Sequence, residues 1–277
     1  VTPEKTSPQE RIGKQRGFGR FLTTLEIELP SGELEIWKSR KYRKRDLSSP
    51  THGWGVWWAP TSRGWWIGVL FAIGSFLFAL GAVPSYARLV HRHADALTFF
   101  VGSLFFTSAA LLQYRESAEA VLAFEKRTAS LLEKGGLLRI GWLACLVQLV
   151  GTFFFNISTA GASLTHVSQA TLIDVSYRPD MFGSICFLVA SVLAWIEVSD
   201  GWWSWSPGEY SWWVTVVNLL GSVAFGVSAI APYLYSFHDS VKANNLSNLG
   251  TFVGAVFFLL GAVLLLPERG QGASSSA

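Results

Sequence analysis

Residues 96–116 read ALTFFVGSLFFTSAALLQYRE, a stretch in which Gly102 is followed by Ser103, by Phe106 four residues on and by Glu116 fourteen residues on. The same spacing returns at 177–197, YRPDMFGSICFLVASVLAWIE, with Gly183, Phe187 and Glu197, and at 248–268, NLGTFVGAVFFLLGAVLLLPE, with Gly254, Phe258 and Glu268. A companion motif, G-[ST]-x-x-F, stands upstream of each, from Gly74 to Phe78, Gly151 to Phe155 and Gly221 to Phe225. Each motif recurs every 70 to 81 residues, so the chain reads as three tandem helical hairpins. Helices in lipid associate through close packing of small residues rather than through a hydrophobic drive. Gly74, Gly102, Gly151, Gly183, Gly221 and Gly254 are therefore the expected helix contacts.

The surrounding sequence supplies the membrane. Segments 64–87, 96–114, 140–173, 181–196, 210–238 and 243–267 contain no Asp, Glu, Lys or Arg. Crossing a bilayer takes about 20 apolar residues at about 1.5 Å each, which predicts spans at 65–84, 95–114, 138–158, 179–198, 211–232 and 247–267. Continuous apolarity favours helices, because lipid-facing barrel strands would alternate at every second residue. Of the 277 residues, 50% are AVILMFWYC and 15% are charged, against about 25% charged in soluble chains. A soluble enzyme, a disordered chain and a disulfide scaffold are excluded. Cys145 and Cys186 are expected at different depths, and two lone cysteines make no metal motif.

The expected fold is thus an all-α membrane protein with six transmembrane helices in three tandem parallel hairpins. A polar head (1–63) precedes the first hairpin (64–116), a linker helix (117–137), the second hairpin (138–198), the third (199–268) and a short flexible tail (269–277). Residues 1–62 lack the apolar core of a secretory signal. The linker, with Glu116, Glu119, Glu125, Lys126, Arg127, Glu133 and Lys134, reads as an amphipathic helix ended by Gly135 and Gly136, its charges solvated.

Lys and Arg are retained on the cytoplasmic side in short loops. The head carries 12 of the 22 basic residues, the linker 5 and the tail Arg269, whereas the opposite face has only Arg88, Arg92, Arg178 and Lys242. Both termini are expected in the cytoplasm, in a plasma (inner) membrane. Trp54, Trp57, Trp58, Trp65, Trp66, Trp202, Trp203, Trp205, Trp212 and Trp213 fall at cytoplasmic ends of spans, where an aromatic belt rests among headgroups.

Within the head, LEIEL (25–29), PSG and ELEIW (33–37) alternate apolar and acidic residues around a turn, a β-hairpin pattern. SRKYRKR (39–45) follows. Its plain reading is topological, as a solvated positive-inside patch. A second reading puts Arg40, Lys41, Arg43, Lys44 and Arg45 against anionic lipid heads, where each basic residue contributes about 1 kcal/mol. No stacking platform or recognition motif accompanies the run, so nucleic acid is not an expected partner.

The stretch from ELEIWKSRKYRKR through IGVLFAIGSFLF to TFFVGSLFF resembles the YrhK-like family of small membrane proteins, over about residues 25–116. Those proteins have a short polar head, a basic Tyr-containing run and two Gly-Ser-Phe helices. The resemblance implies a membrane location and brings no catalytic residues. The two further hairpins lack the basic run and would be divergent copies.

Two functions follow. A non-enzymatic scaffold or accessory subunit, packing with a membrane partner or with copies of itself, fits spans with no charge at depth, since proton relays and ion pathways usually need one. A small-solute transporter or channel would rest on Gln148 and Asn218, three residues before Gly151 and Gly221. Most such amides are interhelical glue of about 0.6 kcal/mol. An enzyme is not expected, for HExxH, GxSxG, P-loop and CxxC are all absent, and no cofactor is implied. His91, His166 and His238 stand at comparable offsets on the outer face and would offer three imidazoles to a transition metal if the hairpins surround a common axis.

Overall fold

The computed structural model describes residues 11–19, 21–44, 57–128, 139–164, 168–235 and 240–271. Its strands are β1 (Arg11–Phe18), β2 (Phe21–Glu28) and β3 (Leu34–Lys38). The helices are α1 (Ser39–Lys44), α2 (Arg63–Gly81), α3 (Pro84–Thr128), α4 (Ile140–Ala162), the short α5 (Gln169–Leu172), α6 (Arg178–Ser199), α7 (Tyr210–Tyr235) and α8 (Ser240–Gln271). A π-helical turn, Ile173–Tyr177, joins α5 to α6. Among the described residues six helical segments are long and apolar enough to cross a membrane: Arg63–Gly81, His93–Thr128, Ile140–Ala162, Ala170–Ser199, Tyr210–Tyr235 and Val241–Glu268. Each overlaps one expected span.

The second of these runs further than expected. At about 1.5 Å per residue its 36 residues reach about 54 Å, well beyond a hydrocarbon core of about 30 Å. The expected separate helix from 117 is, as far as Thr128, one rod with the span before it, because the sequence from Tyr114 to Thr128 has no Gly or Pro to break it. The expected stop at Gly135 and Gly136 lies outside the described residues. At its other end α3 is broken at His91, whose φ of 64° is outside helical space.

α2 packs on α3, α4 on α6 and α7 on α8, while α3 meets α4, α6 meets α7 and α8 returns to α2, closing a ring of six helices. Glycine explains the closeness inside the pairs. A Cβ on Gly74 would sit 3.0 Å from the carbonyl oxygen of Gly102, one on Gly183 3.2 Å from that of Gly151, and one on Gly254 3.0 Å from that of Gly221. The residue after each glycine is buried: Ser75, Ser103, Thr152, Ser184, Ser222 and Ala255. Phe76, Phe153, Ile185 and Val223, one step further along their helices, are exposed as lipid-facing side chains would be.

The six motif phenylalanines meet inside the ring. Phe78, Phe155 and Phe225 form one triangle, with ring centroids 6.4, 5.9 and 5.8 Å apart. Phe106, Phe187 and Phe258 form a second, at 6.2, 6.1 and 5.6 Å. Edges of 5.4, 5.1 and 5.5 Å join the triangles through Phe78–Phe106, Phe155–Phe187 and Phe225–Phe258. Most of these contacts are edge-to-face, the arrangement that ring quadrupoles favour. Two apolar layers therefore fill the centre of the bundle.

On the head side, β1, β2 and β3 form an antiparallel sheet in that order. The expected hairpin is observed, with Leu25 opposite Trp37 and Ile27 opposite Glu35. β1 was not expected, since RIGKQRGF is largely polar and carries no clear alternation. The hairpin alternation changes phase across the turn: Leu25, Ile27 and Trp37 are buried, whereas Leu34 and Ile36 are exposed. The buried face lies on Phe124 of the α3 extension, and Arg127 reaches the two carboxylate oxygens of Glu35 at 3.2 and 2.7 Å.

Candidate functional site

Helix α1 is short, but its spacing is informative. Residues at i, i+3 and i+4 share a helix face, which puts Arg40, Arg43 and Lys44 on one side. Each meets one of the acids fourteen residues past a motif glycine. Arg40 donates from Nε and Nη2 to the two oxygens of Glu268 at 2.6 and 3.1 Å. Arg43 donates from Nη1 and Nη2 to those of Glu197, both at 2.9 Å, and Lys44 Nζ meets Glu116 at 2.7 Å. Ser39 adds a hydroxyl to Glu197 at 2.6 Å. The helix touches α3, α6 and α8, the second member of each helix pair, and caps the head-side end of the ring.

This cap is buried: Arg40, Arg43 and Lys44 each retain 8% of their exposure, Glu197 4% and Glu268 6%. Burial works against a charged guanidinium, yet the Glu268 carboxylate outweighs it and raises the Arg40 pKa above its ordinary value. Glu197 does the same for Arg43. Gly141, at the start of α4, leaves the space in which the Arg43–Glu197 pair lies, since a Cβ there would overlap Arg43 Nη1 and Glu197 Oε1. Lys41, on the other face of α1, pairs with Glu209 at 3.1 Å with both side chains about one-third exposed.

Beneath Arg40 lies a cavity of about 50 Å³. Gln113, Gln148, Ser191, Thr215 and Asn218 give it polar walls, and rings of the phenylalanine layers close it below. Gln113 Nε2 bridges to Gln148 Oε1 at 3.4 Å and to Cys145 Sγ at 3.6 Å. A space of this size and polarity has room for a few waters.

The sequence-derived candidates now have positions. The six glycines sit at close helix contacts, as do Gly68, Gly250 and Gly261. Gln148 and Asn218 face the cavity rather than lipid. Of the basic run read as a lipid contact, Arg40, Arg43 and Lys44 turn inward, onto the buried carboxylates of Glu268 and Glu197 and the partly buried one of Glu116. Lys41 is likewise engaged, by Glu209, and Arg45 lies outside the described residues. His91 is exposed, while His166 and His238 lie outside the described residues, among which no group of three metal-binding side chains occurs.

Of the tryptophans, Trp65 and Trp212 are buried and form matching bonds, Nε1 to Trp57 O at 2.8 Å and Nε1 to Ser204 O at 3.0 Å. Trp66 and Trp213 likewise donate to Pro60 O and Pro207 O, both at 2.9 Å. These rings lock the entries to α2 and α7, while Trp57, Trp58, Trp202, Trp203 and Trp205 stay exposed.

Sequence reasoning had both halves of the cap, the three acids at one offset and the basic run, without joining them. The signal that joins them is numerical: three equivalent acids against three cations on one face of a short helix. No protein-family profile matches the chain, and no match is found among curated proteins or solved structures.

Proposed function

We propose that this chain is a non-catalytic integral membrane scaffold or accessory subunit of the plasma (inner) membrane, with head and tail in the cytoplasm. Three tandem parallel hairpins surround a threefold pseudo-axis along the membrane normal. One observation carries this reading: the axis is filled at two levels, by the two phenylalanine triangles at the bundle centre and by the ion-paired cap at its head-side end. A closed axis leaves the outer helix faces as the working surface, toward lipid, a membrane-protein partner or a second copy. We read residues 25–116 as the unit shared with YrhK-like proteins, the later hairpins being copies that use the one basic run of the first.

Solute flux across proteoliposomes tests this. The wild-type protein is expected to match empty liposomes, and gentle extraction is expected to recover a stable membrane partner or homo-oligomer. Flux that Asn218→Leu abolishes would establish the transporter or channel instead, a reading favoured by the polar cavity around Gln148 and Asn218. For orientation, a reporter fused after Ala277 is expected to be active only in the cytoplasm, and protease added outside is expected to spare the head.

A further inference from the structure

Between the head sheet, α1 and the start of α4 is a second cavity of about 20 Å³, lined among others by Trp37, Arg43, Phe124, Arg139 and Trp142. Four buried N–H groups at this place have no hydrogen-bond partner: Trp37 Nε1, Arg43 Nε, and Nε and Nη1 of Arg139. Trp37 and Arg43 are 5% and 8% exposed. Buried donors are nearly always paired, so four orphans lining one small space call for an acceptor. The buried side-chain oxygens that lack a partner among the described residues, on Ser75, Asp95, Ser199 and Ser204, all lie away from this lining.

The charge count points the same way. Arg43 is matched by Glu197, but Arg139 has no ion pair among the described residues. Its guanidinium lies over the Phe124 ring, 4.1 Å from the centroid, and 6.0 Å from that of Trp37. The aromatic groups occupy the face of the guanidinium, and in its plane Nε and Nη1 have no partner. Burial lowers the Arg139 pKa and Glu125 offsets only part of that, so the site carries a cation that its surroundings do not fully compensate.

We propose that this cavity binds a monatomic inorganic anion of the halide class, chloride under ordinary conditions, held by the indole N–H of Trp37 and the guanidinium N–H groups of Arg43 and Arg139. A cavity of about 20 Å³ admits a single particle of this size. A water is the poorer occupant, because it brings two donors of its own to a place already rich in donors. The anion would bridge the head sheet to the bundle beside the cap, coupling seating of the head to halide.

The test uses the full-length protein in detergent, melted in sodium chloride, sodium bromide or sodium gluconate at equal ionic strength. Chloride and bromide are expected to raise Tm by about 3–6 °C over gluconate. Arg139→Gln is expected to remove that difference, Trp37→Phe to weaken halide affinity about tenfold, and Arg63→Gln, which breaks an exposed pair with Glu119, to preserve it. Crystals grown in bromide are expected to show an anomalous peak beside Arg139, a measurement on wild-type protein that stands even where a variant fails to fold. Equal melting in all three salts with no bromide peak would leave water as the occupant and overturn the proposal. Stabilisation in gluconate by anionic lipid alone would overturn it too.

Discussion

The bundle centre and the charged cap lie along the same axis and solve the same problem by opposite means. At the centre, the three helix pairs α2–α3, α4–α6 and α7–α8 each bring two phenylalanines, and like meets like: every ring finds its counterparts at about the same distance. At the cap, the same three pairs each bring one glutamate, on α3, α6 and α8, and like charges cannot meet. The acids need partners from outside the six-helix ring, and a single helix of the head supplies them. Because α1 has no threefold symmetry, it answers three equivalent acids with three inequivalent cations, two arginines with both oxygens engaged and one lysine with one. Apolar packing tolerates repetition, whereas buried charge requires complementarity.

The cap is most vulnerable at Arg43. Removing one member of a buried pair leaves the other charge uncompensated and costs about 3–5 kcal/mol, whereas replacing both with apolar residues is often close to neutral. Arg43→Met is therefore expected to lower unfolding stability by about 3–5 kcal/mol, with Arg43→Met and Glu197→Leu together recovering most of it. Denaturant unfolding across the double-mutant cycle measures the difference, and an additive cycle would mean the pair is not coupled.

The centre should respond through volume instead of charge. A Cβ on Gly254 would lie 2.6 Å from a Phe225 ring carbon and 3.0 Å from the Gly221 oxygen. Gly254→Leu is expected to cost about 1–3 kcal/mol, and Gly183→Leu a similar amount, read from detergent melting; neutral results at both would place these residues against lipid. Phe106→Leu keeps an apolar side chain of related volume and is expected to cost under about 1.5 kcal/mol, a gentler injury than any charge deletion in the cap.

Lys41 gives the smallest effect and sharpens the contrast between buried and exposed ion pairs. Its pair with Glu209 is about one-third exposed on each side. Lys41→Ala is expected to change stability by no more than about 1 kcal/mol, and by less in high salt. Melting curves for the Lys41 and Arg43 variants in low and high salt set the two faces of α1 side by side.

Residue order alone determined the six apolar helices, because uninterrupted apolarity over a bilayer's thickness allows no other structure in which backbone groups are satisfied. It also picked out six glycines at helix contacts, though not Gly68, Gly250 or Gly261, and it showed the β2–β3 hairpin through its alternation. Only the tertiary structure decided the rest. β1 had no periodic signal, and the inward face of β3 depended on strand register, which shifted Leu34 and Ile36 outward while Trp37 turned in. The fate of the basic run depended on contacts up to 228 residues apart, as between Arg40 and Glu268. A positive run beside a membrane is equally at home on lipid heads or on carboxylates. The choice falls to whichever acids the fold carries to that place, and the sequence distance between partners holds no trace of it.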